Sequence, residues 1–195
     1  MTHTLHRRGK VKDLKQDYVI LAMLATGVND KYDDSRQKLI KIAEILNEHN
    51  PINIIAERGW KTSSTITATY GDIDTVKDII QILKKEELGI SIVISGLISE
   101  IENALKEVDL EIDTIHLSLG EFGSKNLLPS EKILEITTMC GHHTVSPQSI
   151  THYVDLIKRG KTTIEKAANK LTRPCVCGIV NTTRIIEILT ILVKE

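Results

Sequence analysis

The run Tyr18-Val19-Ile20-Leu21-Ala22-Met23-Leu24-Ala25 is apolar at every position. It is far too short to span a bilayer and lacks the 3.6-residue period of a surface helix. A strand buried on both faces has this character, which places a sheet at the centre of the protein with cover on each side. The chain on either side extends the pattern. Asp34-Ser35-Arg36-Gln37 has the spacing of a capping box, and Leu39, Ile42, Ala43 and Leu46 follow at helical intervals. Asn50-Pro51 ends that helix, because a residue before proline is pushed out of the α region. Ile52 to Ala56 and the β-branched stretch Thr65 to Tyr70 read as strands. Asp72 caps a helix bearing Val76, Ile79, Ile80 and Leu83, and Ile90 to Ile94 is a further strand. Gly96 leads into a helix with Ile98, Ile101 and Leu105. Thr114 to Leu119 alternates, with Ile115, Leu117 and Leu119 on one side and His116 and Ser118 on the other.

Strands alternating with helices predict βαβ crossovers, hence an α/β fold with a mixed, mostly parallel sheet and flanking helices. After Gly120 no strand is legible. Helices are expected over 131–139, after Ser146-Pro147, after Thr162-Thr163-Ile164-Glu165, and from Thr183 to the end. The expected organisation is an α/β core over residues 1–125 and an all-helical lobe over 126–195, as two domains or one continuous one. The last helix is apolar nearly all round between Ile185 and Val193, which predicts burial or an interface, with a homodimer or a protein partner as its cover.

Composition narrows function by exclusion. The 195 residues carry a formal net charge of -1, so nothing draws the chain toward nucleic acid or an anionic membrane. Aromatic residues are 3% of the total, too few for base-stacking platforms. His6-Arg7-Arg8-Gly9-Lys10 reads as a solvated N-terminal arm. The polar start has no apolar core of a signal peptide, and a cytoplasmic protein is expected. Three cysteines in such a chain argue against a disulfide framework and for metal, redox or buried thiols. The P-loop, Gly-x-Gly-x-x-Gly, Gly-x-Ser-x-Gly and His-Glu-x-x-His are all absent.

All three cysteines fall in turns of the helical lobe. Cys140 stands in Cys140-Gly141-His142-His143, where Gly141 is placed as a helix-ending glycine. Cys175 and Cys177 stand in Pro174-Cys175-Val176-Cys177-Gly178, where Gly178 permits a positive φ and Asn181 or Thr182 caps the next helix. A thiol before a helix N-terminus feels the positive dipole end, which favours thiolate. Cys140, Cys175 and Cys177 with His142 would complete a zinc tetrahedron, and the three cysteines alone would suit an iron–sulfur cluster with one open iron. Cys-x-Cys is not standard zinc-knuckle spacing, and a buried cysteine otherwise behaves as a small hydrophobe. His116 and Lys125 are the alternative. With His116 on the last strand and Lys125 in the turn just beyond it, near Ser95-Gly96 and Asn29-Asp30 at the carboxyl-end rim of the sheet, they would serve as acid/base and anion clamp of a small-molecule enzyme, with the cysteines structural.

The pattern from Thr138-Met139-Cys140-Gly141-His142-His143 to Pro174-Cys175-Val176-Cys177-Gly178-Ile179-Val180-Asn181 resembles the tail of a group of uncharacterised proteins from strict anaerobes such as methanogens. Leu5-His6-Arg7-Arg8-Gly9 and Ser118-Leu119-Gly120 fit the same pattern. The resemblance implies no particular activity. It implies a reducing, anaerobic archaeal cytosol in which oxygen-sensitive clusters survive, and it weights His142 above His143. The first expectation is therefore a metal- or Fe–S-binding accessory protein or enzyme of anaerobic metabolism. A third is an interaction module using the terminal helix.

Overall fold

The computed structural model describes residues 7–118 and 120–195, and these form two compact units. A sheet unit holds residues 11–113 together with 176–179. A helical unit holds residues 7–10, 114–175 and 180–195.

The sheet unit opens with a single helical turn, α1 (Val11–Leu14), and the strand β1 (Tyr18–Met23). There follow α2 (Ser35–Glu48), β2 (Asn53–Ile54), β3 (Thr65–Tyr70), α3 (Ile73–Glu86), β4 (Ser91–Ser95) and α4 (Ile98–Glu107). The strand order is β2-β3-β1-β4, and every pairing is antiparallel. The expected mostly parallel sheet is thereby overturned, and the reason lies in the crossovers. Strands joined through a helix do run the same way: β1 and β2 are each antiparallel to β3, while β3 and β4 are each antiparallel to β1. They are not neighbours, however, because each crossover leaves a gap that a strand of the other crossover fills. The result is two interleaved split βαβ units, the ferredoxin-like βαββαβ arrangement.

Alternation along the strands gives the sheet two buried faces. Tyr18, Ile20 and Ala22 of β1 and Ile66, Ala68 and Tyr70 of β3 join the core with Leu39 and Ile42 of α2 and Val76 and Ile79 of α3. Tyr70 donates its hydroxyl to the Leu46 carbonyl at 2.7 Å, which anchors α2. Asp72 caps α3 as expected, accepting from the Thr75 N–H at 2.7 Å. Asp34 precedes α2 without a side-chain cap and instead pairs with Lys38 at 2.9 Å. Thr67 and Thr69 point to the opposite face and are also buried. There they meet residues 176–179: the Thr67 hydroxyl donates to the Cys177 carbonyl, and the Thr69 hydroxyl donates to the Gly178 carbonyl at 3.1 Å.

The helical unit contains α5 (Glu131–Thr137), α6 (Pro147–Lys158), α7 (Ile164–Thr172) and α8 (Thr182–Lys194). Three caps are made by side chains: Ser146 accepts from Ser149 N, Thr163 from Lys166 N and Asn181 from Arg184 N. The apolar side of α8 is used internally, with Ile185, Ile188 and Leu189 buried; Ile191, 43% exposed, faces outward. No helix among the described residues is long and apolar enough to cross a membrane.

Two local expectations change here. The basic segment is not a solvated arm at Arg7 and Arg8, which are engaged within the unit. Arg8 pairs with Glu121 and, at 3.3 Å, with Glu131, while its N–H donates to the Thr138 hydroxyl at 3.1 Å. His6 lies outside the described residues. Residues 114–118 form no strand, and Ile115 and Leu117 are exposed; Leu119 is outside the described residues. Alternation is only half of a strand, and without a neighbouring ladder the backbone groups prefer water.

Candidate functional site: a buried thiol pair

Cys140 and Cys175 are brought together inside the helical unit. Cys140 follows α5 in a tight turn closed by the His143 N–H donating to the Cys140 carbonyl at 2.9 Å. The left-handed residue of that turn is His143, with φ of 54°, and not Gly141 as the sequence suggested. Cys175 follows α7 in another turn, its N–H donating to the Thr172 carbonyl at 2.9 Å. Both side chains are buried, Cys140 completely and Cys175 with 7% of its surface exposed. The Cys140 sulfur lies 3.1 Å from the Thr144 hydroxyl, and the Cys175 side chain also acts on the Cys140 thiol.

This contact controls the proton on Cys140. Its pKa is pushed up to about 12, first by the hydrogen bond to Cys175 and then by burial, against an opposing pull from Thr144. The Cys175 side chain and burial both disfavour a Cys140 thiolate, so Cys140 keeps its proton. The dipole argument made from the sequence applied to a thiol ahead of a helix. Cys140 stands behind one, where the carbonyl ends disfavour an anion.

The other expected residues are placed differently. Cys177, partly exposed, belongs to residues 176–179 of the sheet unit, where its carbonyl accepts from Thr67. Gly178 has φ of +71°, as the turn required. His142 and His143 are exposed in the turn after Cys140. His116 and Lys125 are exposed as well, His116 on irregular chain and Lys125 in a short 3₁₀ turn. The two sheet loops expected beside them do not share one rim. In an antiparallel sheet, Ser95-Gly96 and Asn29-Asp30 lie at opposite ends of β1. Ser95 is beside Val19 at its start, whereas Asn29, beyond the end of β1, donates to the Gly89 carbonyl ahead of β4.

Two contacts had no signal in the sequence. Thr144, four residues after Cys140, becomes a sulfur neighbour only because the turn folds back. Arg7 reaches the Met139 carbonyl at 3.4 Å, so the basic segment braces the turn that carries Cys140. Among the described residues no group of three or more His, Cys, Asp or Glu side chains is arranged to hold a metal ion. Compared with known proteins, the chain matches no family model, no curated protein and no solved structure.

Proposed function

We propose that the protein holds a soft metal ion or an iron–sulfur cluster through thiolates, with Cys140 and Cys175 as its first two sulfur ligands. The observation that supports this reading is the meeting of two buried thiols from turns far apart in the chain. Thiolate pairs select zinc, copper(I) and iron–sulfur centres over hard cations. A metal displaces the shared proton and replaces the repulsion between two sulfurs with two bonds to one cation. His142 is the nearest histidine in sequence and lies in the same exposed turn, available as a further ligand or as a partner to one. Cys177, two residues beyond Cys175, is the other candidate, and substitution tests it directly.

The test is metal content per chain after purification without oxygen. The wild type is expected to carry zinc or iron with sulfide in near-stoichiometric amount, and Cys140→Ser and Cys175→Ser are expected to lose it. His142→Ala should reduce the content less than either if histidine acts through another ligand. Equal and negligible content in the wild type and in Cys175→Ser refutes the proposal.

A further inference from the structure

Strand β4 lies at an edge of the sheet and is bonded on one side only, to β1. The Leu24 N–H donates to the Ser64 carbonyl at 2.9 Å, so even-numbered residues along β1 turn their backbone groups toward β3 and odd-numbered ones toward β4. Val19, Leu21 and Met23 therefore bond Ser95, Val93 and Ser91. The N–H and C=O groups of Ile92 and Ile94 are left pointing outward, and among the described residues no backbone group bonds to them. Exposed edges are ordinarily blunted by a lysine, a proline or a bulge. Ser91-Ile92-Val93-Ile94-Ser95 has no charge and no proline, in a chain with 26% charged residues, and its register on β1 runs without a bulge.

The same five residues read identically in both directions about Val93. We propose that β4 is a self-association edge, at which a second copy of this chain adds its own β4 antiparallel about a two-fold axis through Val93. Ile92 of each copy then faces Ile94 of the other, and each such pair exchanges N–H···O bonds through the groups that otherwise face water. Ile92 and Ile94 already pack against the core of the sheet unit, so the pairing joins the two cores edge to edge, isoleucine on isoleucine. On the opposite face Val93 meets Val93, and Ser91 meets Ser95. Like meets like at every position and no charge has to be buried. A shift by one residue would aim these groups at backbone already bonded to β1, so the register is fixed. Ile98, 39% exposed at the start of α4, stands at the end of β4 that meets the Gly89-Ile90 end of the other strand, and it adds apolar area. An edge of 5 residues with such flanks is smaller than the about 1,600 Å² of a standard interface, so the association is reversible and concentration-dependent. The pairing uses the sheet unit alone and is independent of the thiol site.

Sedimentation velocity on the full-length chain, from about 1 μM to about 1 mM, is expected to show a monomer–dimer equilibrium. Val93→Lys sets two ammonium groups against each other across the axis and should raise the dissociation constant at least about tenfold, whereas Val93→Thr should keep the dimer. Circular dichroism checks that each variant folds. Val93→Cys supplies a reading that needs no weakening of the dimer. Mild oxidation at dimer-forming concentration should join two chains by a disulfide at position 93, because opposed residues of a non-hydrogen-bonded pair lie close enough for one. Ser91→Cys is the register control and should give no symmetric bond at position 91, since each Ser91 faces Ser95. Peptide mapping after alkylation separates these bonds from any through the native cysteines. A monomer at every concentration would overturn the proposal, and so would absence of the bond at position 93. A dimer that a folded Val93→Lys leaves intact would do the same, because it joins through another surface such as the last helix. Symmetric bonds at position 91 as abundant as those at 93 would also sink it, as the mark of random collision. Should Val93→Lys not fold, the two cross-linking variants decide.

Discussion

Replacing Gly178 by alanine tests the seating of residues 176–179 on the sheet. Gly178 has φ of +71°, where an L side chain costs roughly 1–2 kcal/mol. The larger obstacle is space. A Cβ there would overlap the Ile54 carbonyl carbon and the Ile55 nitrogen, and would lie 2.6 Å from the Ile54 oxygen. All of these are backbone atoms of β2 or its continuation, and Ile55 N is itself bonded to the Thr67 carbonyl at 3.0 Å, so they cannot turn aside. The segment must lift, breaking the hydrogen bonds that Thr67 and Thr69 donate to its carbonyls, at about 1 kcal/mol each. The total is about 4 kcal/mol, or a fall in Tm on the order of 8–16 °C for a chain of this length. Gly160→Ala supplies the control. Gly160 has φ of +67° and open space where its Cβ would go, so it should cost only the conformational part, about 1–2 kcal/mol. Urea unfolding followed by circular dichroism measures both. If Gly178→Ala costs no more than Gly160→Ala, the segment does not lie on β2 and the account of the second sheet face is wrong.

Two further outcomes follow from buried charge and buried thiol. Glu135 and Arg184 form an ion pair at 3.2 Å with side chains nearly inaccessible, supported by Lys132 on the same carboxylate and by the Arg8 carbonyl on the same guanidinium. Glu135→Leu should cost roughly 3–5 kcal/mol by stranding the Arg184 charge, whereas Glu135→Leu with Arg184→Met should cost less than that single change; additive losses in a double-mutant cycle would sink the argument. For Cys140, the folded pKa of about 12 lies above the unfolded value of roughly 8.5, so the folded state keeps a proton that the unfolded state has released. That contribution is complete below pH ~8.5 and is lost as pH rises toward the folded value. Metal-free wild type should therefore lose stability between about pH 8.5 and 10 more steeply than Cys140→Ser, a window chosen below the onset of Tyr18, whose own pKa burial pushes up to about 12. Parallel slopes in chemical denaturation would show that Cys140 is not held protonated.

Most of the elements could be read from the sequence because each carries its own local signal. β1 is a run of apolar residues, β3 a run of β-branched ones, and Asp72, Ser146 and Asn181 are caps whose side chains do cap. The order of strands carries no such signal. A βαβ run looks the same in sequence whether its two strands touch or leave a gap, and only the fit of the second crossover into that gap decides between parallel and antiparallel neighbours. Thr114 to Ser118 shows the converse failure, with the period of a strand and no partner to pair with. The two buried threonines of β3 pointed the right way: Thr67 and Thr69 alternate with apolar residues yet face no water, because residues more than a hundred positions later arrive to take their hydrogen bonds.

For the candidate site, the sequence showed which side chains fall in turns but not how they are arranged. Three cysteines in turns were visible, and so was the glycine that shapes the second turn. How the sulfurs are arranged depends on how α5 to α8 pack: Cys175 acts on Cys140 within the helical unit, and Cys177 stands in the segment 176–179 of the sheet unit. The protonation state followed from the same packing. Cys140, which stands behind a helix, is held as a protonated thiol by the Cys175 side chain and by burial.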